Sequence, residues 1–210
     1  MRKHALVVIA LCAAVLLAPA CQRGACPEGM ARVEGLLTCI DRWESSTVAD
    51  GKGGLGPAVS RAGAIPADSV SWEDADGSCR AAGKRLCSSD EWLTACRGRE
   101  GRQYPYGAAF DPLRCNGYQY GKKAGKNEKR PTGSLAGCDN GLGVMDLSGN
   151  VWEWTATADQ TGTLRRLQGG GFANDDEEKE LGCGFRRPVH QPINQRHSGI
   201  GYRCCRDARP

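Results

Sequence analysis

The cysteines constrain this chain more than any other feature. It has 210 residues and twelve cysteines, and ten of those, at positions 26, 39, 79, 87, 96, 115, 138, 183, 204 and 205, are scattered beyond residue 25. An even number of cysteines in an exported chain reads as a disulfide framework, here of five bridges. The alternative use of cysteine, metal binding, is poorly supported. There is no CxxC pair, and His4, His190 and His197 make no ligand cluster in the sequence. Twenty-nine Gly and 10 Pro against only 13 aromatic residues suit short elements joined by turns.

Export is encoded at the amino end. Met1-Arg2-Lys3-His4 is a basic start, followed by an apolar run over residues 5–20. That run falls short of the roughly 20 residues that span a bilayer and matches the apolar core of a secretory leader. Leu17-Ala18-Pro19-Ala20-Cys21 resembles a bacterial lipobox, in which Cys21 is acylated and becomes the first mature residue. Ala18-x-Ala20 also suits ordinary cleavage, which would release a secreted chain. The expected organisation is a lipoprotein-type signal peptide over 1–20, an anchor and linker over 21–25, and one domain over 26–210. The protein is then a cell-envelope lipoprotein, facing the periplasm or the cell surface, that meets the membrane through its lipid. Removing Arg2 and Lys3 leaves 26 basic against 24 acidic residues, which is no electrostatic footprint for nucleic acid. No internal repeat points to a solenoid.

Two helices are specified locally. Ser71-Trp72-Glu73-Asp74 opens like a capping box, with Gly83 as the stop. Ser88-Ser89-Asp90-Glu91 opens the second, with Trp92, Ala95 and Cys96 on one face and Gly98 as its stop. Residues 32–39 carry strand-like apolar positions, and residues 45–66 read as a long surface loop. Its Gly51-Lys52-Gly53-Gly54-Leu55-Gly56 lacks the order and the following helix of a phosphate loop. Beyond residue 101 the sequence predicts short strands between Gly, Asn, Pro and Asp turns, with no helical period.

A series of motifs then runs in one order: Val70-Ser71-Trp72-Glu73-Asp74-Ala75, Gly83-Lys84-Arg85-Leu86, Asp90-Glu91-Trp92, Cys96-Arg97-Gly98 and Tyr104-Pro105-Tyr106-Gly107. Cys115-Asn116, Met145-Asp146-Leu147-Ser148-Gly149-Asn150-Val151-Trp152-Glu153-Trp154, Gly169-Gly170-Gly171-Phe172 and Gly201-Tyr202-Arg203-Cys204 complete it. From Cys26 to Cys205 the chain resembles the formylglycine-generating enzyme family, also called the sulfatase-modifying-factor domain. The resemblance implies an irregular, loop-rich α+β fold, distantly like C-type lectins, stapled by disulfides and holding structural calcium.

In the family, the positions matching Asp146, Gly149, Val151 and Glu153 form one calcium site, the middle two through backbone oxygen. Asp146 and Glu153 are hard oxygen donors of the kind calcium takes. Asn116 and Gly117 match the first half of a second site, whose other half falls on the basic stretch 122–130. The resemblance further implies the disulfides Cys79–Cys204 and Cys96–Cys183, closing loops of roughly 125 and 87 residues. Loops of that size stabilise by about 4–5 kcal/mol on the chain-entropy model. Cys26 and Cys39 make a local pair, and the pairing of Cys87, Cys115, Cys138 and Cys205 stays open.

The family enzyme oxidises a substrate cysteine with oxygen and copper(I), held by two thiolates after its Gly-Gly-Ser-Tyr-like motif. Here those two positions are Asn174 and Lys179, and the nearby serine position is Gly171. Copper is therefore not expected, because an amide and an ammonium cannot replace two soft thiolates. Trp152 is kept, and a Trp on a Gly-Asn turn reads as core packing. The sequence-based expectation is a calcium-binding, non-catalytic domain that binds an envelope protein or a glycan, with the acidic loop 174–180 at the pocket. A solvated surface loop is the plain reading of that charge run. The rival functions are a formylglycine-generating oxidoreductase with rearranged ligands, and a structural component of an envelope assembly.

Overall fold

A computed structural model describes residues 25–47, 55–158, 160, 162, 164–174, 176–189, 193–194 and 196–208. The leader, Cys21 and residues 51–54 of the glycine loop lie outside the described residues. In chain order the elements are β1 (Met30–Arg32), β2 (Thr38–Asp41), β3 (Ser45–Ser46), β4 (Val59–Ser60), α1 (Trp72–Ala81), β5 (Arg85–Leu86) and α2 (Ser89–Arg97). They continue with α3 (Tyr118–Lys123), β6 (Trp152–Ala158), β7 (Arg165–Gln168), α4 (Glu177–Glu180), β8 (Arg187–Val189), β9 (Ile200–Tyr202) and β10 (Cys204–Asp207).

Both expected helices form through the same device. Ser71 and Ser88 each accept the backbone N–H three residues on, and Asp74 and Glu91 reach back to the serine N–H. Each cap satisfies amides the helix cannot, worth about 1 kcal/mol. Gly98, at φ +57°, ends α2 and returns its N–H to Thr94 O. The face carrying Trp92, Ala95 and Cys96 is buried.

One antiparallel sheet runs β1-β2-β10-β5 and a second runs β8-β7-β6-β9, in which only the β6–β9 pair is parallel. Successive side chains of a strand face opposite ways, and β10 uses this to enter two cores at once. Cys205 joins Val33, Ile40, Trp92 and Leu147, whereas Cys204 joins Val70, Leu86, Trp154 and Tyr202. The five disulfides are Cys26–Cys39, Cys79–Cys204, Cys87–Cys205, Cys96–Cys183 and Cys115–Cys138. Neighbouring cysteines on β10 thus hold α1 through one face and the start of α2 through the other.

Several local expectations are corrected. Within residues 32–39 the chain turns, at Gly35 with φ +79°, so the apolar Val33 and Leu36 fill the core from a hairpin turn rather than from a strand. The loop 45–66 contains the β3–β4 pair. Beyond residue 101 two short helices do form. No side chain from its own first turn caps α3. Instead Glu177, far along the chain, accepts from Gln119 N at 3.0 Å, so the local sequence carries no start signal.

Glu91 ties α2 to the first sheet. Burial alone pushes its carboxyl up, but hydrogen bonds from Arg85, Ser88 N–H and Thr38 hold it down at about 2. Because the folded value lies below the ordinary one, this stabilisation is complete above about pH 5 and is lost as pH falls through 2. Glu91→Gln should lower the Tm at pH 7 and shrink the drop in Tm between pH 7 and pH 3. An unchanged pH dependence would show that Glu91 makes no such contribution.

Candidate functional site

The candidate site is built where β7 ends. Gly169 and Gly170 are glycine for space as well as conformation: their φ angles are +94° and +72°, and a Cβ at Gly170 would meet Glu180 O at 3.0 Å. The turn is held by Gly149 N–H on Gly169 O at 2.7 Å and by Phe172 N–H on Asn150 O at 2.9 Å. Asn174 follows, 6% exposed, its amide oxygen taken by Gly171 N–H and its amide nitrogen donating to Glu180. Lys179 places its ammonium 5.4 Å from the centre of the Phe185 ring, and Phe185 in turn sits 6.0 Å from Trp152. The guanidinium of Arg187 lies 5.4 Å over Trp152.

Beside this group opens a cleft of about 710 Å³. Arg97, Arg102 and Lys179 supply positive charge, Asp176 and Glu178 negative charge, and Phe185 an apolar wall. Its two sides are locked together by Cys96–Cys183, by Tyr104 OH donating to Glu178 O at 2.6 Å, and by Cys183 N–H on Gln103 O. The acidic stretch is not simply a solvated loop. Glu177 is 4% exposed, caps α3, and has its carboxyl pushed up by burial despite hydrogen bonds from the α3 backbone.

Beneath the Gly149-Asn150 turn lies a charged core. Glu153 presents both carboxylate oxygens to Arg203, at 2.7–3.0 Å, and also accepts Trp92 Nε1 at 2.7 Å. Arg203 is fully buried and donates as well to Asp41 O and Met145 O. Burial opposes its charge, but the carboxylates of Glu153, Glu44 and Asp146 hold its pKa above the ordinary value. Glu44 accepts from Asn150 Nδ2 and Val151 N–H, and burial drives its carboxyl far up. Asp146, at φ +59°, accepts Gly133 N–H at 2.7 Å, and burial raises it to about 6. Sequence reasoning missed Glu44 and Trp92 as partners here. Arg203 stood in a motif with no hint of what it pairs with.

Comparison with known proteins places this arrangement. Residues 30–208 match the model of the sulfatase-modifying factor enzyme 1-like domain. The chain belongs to this family. The "Inactive C-alpha-formylglycine-generating enzyme 2" of Mus musculus is 30% identical over 189 residues, covering 83% of this chain and 60% of that protein. The "Formylglycine-generating enzyme" of Streptomyces coelicolor is 33% identical over 173 residues, 68% of this chain and 53% of that one. The chain thus spans a little over half the length of these curated relatives. The solved Treponema denticola variable protein 1 shares the fold, with a TM-score of 0.61 at 17% identity, over 89% of this chain and 93% of that one.

The metals the family implies can be tested on these side chains. The copper positions do not fit: Asn174 is spent on Gly171 and Glu180, and Lys179 carries a cation. At Asp146 and Glu153, Glu153 already accepts three N–H donors from Arg203 and Trp92, and Asp146 one from Gly133, so a calcium ion held there would share these carboxylates with the guanidinium. The guanidinium, bound by a carboxylate and backbone carbonyls, supplies the positive charge there. At the second position Asn116 Oδ1 is buried without a hydrogen-bond partner, as is Glu177 Oε2, whose carboxylate packs on Gly117. Among the described residues, no cluster of three or more acidic, His or Cys side chains is placed to hold a metal ion.

Breaking one half of a buried ion pair leaves the other charge without compensation, at a cost of about 3–5 kcal/mol. Glu153→Gln should therefore destabilise this sulfatase-modifying-factor domain by that amount in thermal or denaturant unfolding. Arg203→Lys should also lose stability, since a point charge cannot form the fork. Near-parental stability of Glu153→Gln would show that the Arg203 pair contributes little to the fold.

Proposed function

We propose that this chain is an exported, non-catalytic member of its family, a disulfide-fixed binding domain tethered through an acylated Cys21 at the bacterial cell envelope. Its ligand, an envelope protein or a glycan, enters the mixed-charge cleft beside Phe185. The observation that carries this reading is that both thiolate positions hold side chains already committed elsewhere, Asn174 to Gly171 and Glu180, and Lys179 to the Phe185 ring. The ten cysteines from 26 to 205 all lie in disulfides, and a disulfide sulfur is not a thiolate. A relative bearing the name of an inactive enzyme supports the same direction.

Export is supported by the five bridges, which persist in oxidising compartments. Among the described residues no helix is long and apolar enough to cross a membrane. A rigid frame presenting loops around a cleft suits binding. Calcium belongs to this reading at Asp146, Gly149, Val151 and Glu153, and on the Asn116–Gly117 side, where it is supported by the open Asn116 Oδ1 and Glu177 Oε2.

Two measurements test the proposal. The exported protein should show no titratable thiol when denatured, and in its native state should bind no stoichiometric copper(I) and leave a sulfatase-type cysteine peptide unconverted under oxygen. Conversion of the peptide would establish the oxidoreductase, and Cys183, Cys204 and Cys205 would be the residues to replace first. Separately, calcium at a hundredfold excess over its Kd should stabilise chelator-treated protein by about 2.7 kcal/mol. Glu177→Gln, which keeps an acceptor for Gln119, should reduce the gain, and Asp146→Ala/Glu153→Ala should remove the rest. No gain in the parent would remove calcium from the reading.

A further inference from the structure

The hairpin of β1 and β2 ends in a turn that leaves an apolar residue in water. Val33 is buried and Leu36 packs against the core, but Leu37 is 74% exposed. Leu142, 38% exposed, is brought beside it when Arg42 Nη1 donates to Leu142 O. Together with Leu36 they line a depression of about 630 Å³, edged by Arg32, Arg42 and Arg99 and by one acid, Glu34. Arg32 Nε donates to Leu36 O at 2.8 Å, which fixes the turn. The Arg99–Glu34 pair, at 3.3 Å with Arg99 80% exposed, is a surface contact of little energy, so Arg99 is free to turn to another anion. Leucines flanked by the guanidinium groups of Arg42 and Arg99 match the interface of an anionic bilayer. The apolar tips enter the acyl boundary, and arginines pair with phosphate in fork geometry.

Chain geometry chooses the same face. Cys26 is bonded to Cys39, with Cα atoms 5.6 Å apart, and Cys39 is two residues from Leu37. Cys21 precedes Cys26 by five residues, a contour of at most about 17 Å. A lipid on Cys21 holds the bilayer within that distance of Cys26, beside the hairpin turn. We propose that the surface formed by Leu37, Leu142, Arg32, Arg42 and Arg99 is the membrane-facing side of this domain, docking on anionic phospholipid with Leu37 at the acyl boundary. The tether half of the argument rests on the lipid-anchor reading; the surface chemistry stands without it.

The test uses the exported chain and an exported Cys21→Ser chain, with leader removal and acylation read from intact mass. Both are mixed with vesicles of phosphatidylcholine alone or with 30% phosphatidylglycerol. The Cys21→Ser protein should bind the anionic vesicles at least about fivefold more tightly than the neutral ones, as about 1 kcal/mol per arginine near the surface requires. Leu37→Ser/Leu142→Ser should weaken that binding about tenfold with no change in Tm, since burying one leucine is worth at least that factor. Arg99→Glu should remove most of the anionic preference. If the Cys21→Ser protein binds neither vesicle, or the leucine variant binds as the parent does, the docking surface is refuted. If the parent carries no acyl mass while Cys21→Ser protein still binds through the leucines, the anchor fails and the surface stands.

Discussion

The pairing of Arg203 with Glu153 is the interaction on which the rest of the structure depends. A guanidinium taken wholly out of water is tolerated only if each donor finds a fixed acceptor. Those acceptors come from β6, from the end of β2 and from the residue before Asp146. The requirement therefore locks the two sheets and the 144–150 turn into one register. Trp92 adds α2 to the same carboxylate. The site inherits this rigidity, because the turn beneath the glycine stretch hangs directly from it.

Much of the fold was legible in the sequence because its signals are local. The capping boxes at Ser71 and Ser88 and the glycine stops after each helix need no distant partner. The elements that escaped are those stabilised from afar. α3 is capped by Glu177, nearly sixty residues on, and β3 and β4 are too short to show a period. In the turn at Gly35 the apolar residues point inward from irregular backbone, which imitates a strand pattern.

The site divides the same way. Asn174 and Lys179 were recognisable as poor copper ligands from their chemistry alone, and the geometry adds what engages them. Asp146 and Glu153 read as calcium ligands from their donor chemistry, but a carboxylate in sequence does not reveal its protein partner. Only the fold brings Arg203, fifty residues away, onto Glu153. Glu177 is the converse case: within an acidic run it read as one solvated charge among several, yet it is buried.

The two neighbouring cysteines of β10 carry a consequence for biogenesis. Their bridges close loops of 125 and 118 residues, back to Cys79 and Cys87. β10 also lies in the middle of its sheet, between β2 and β5, and separates the two cores. A nascent chain released only as far as residue 203 would have neither cross-link and no central strand, however long it waited. Emergence of β10 is thus the event that commits the domain, and Cys79 and Cys87 must be protected from wrong partners until it arrives.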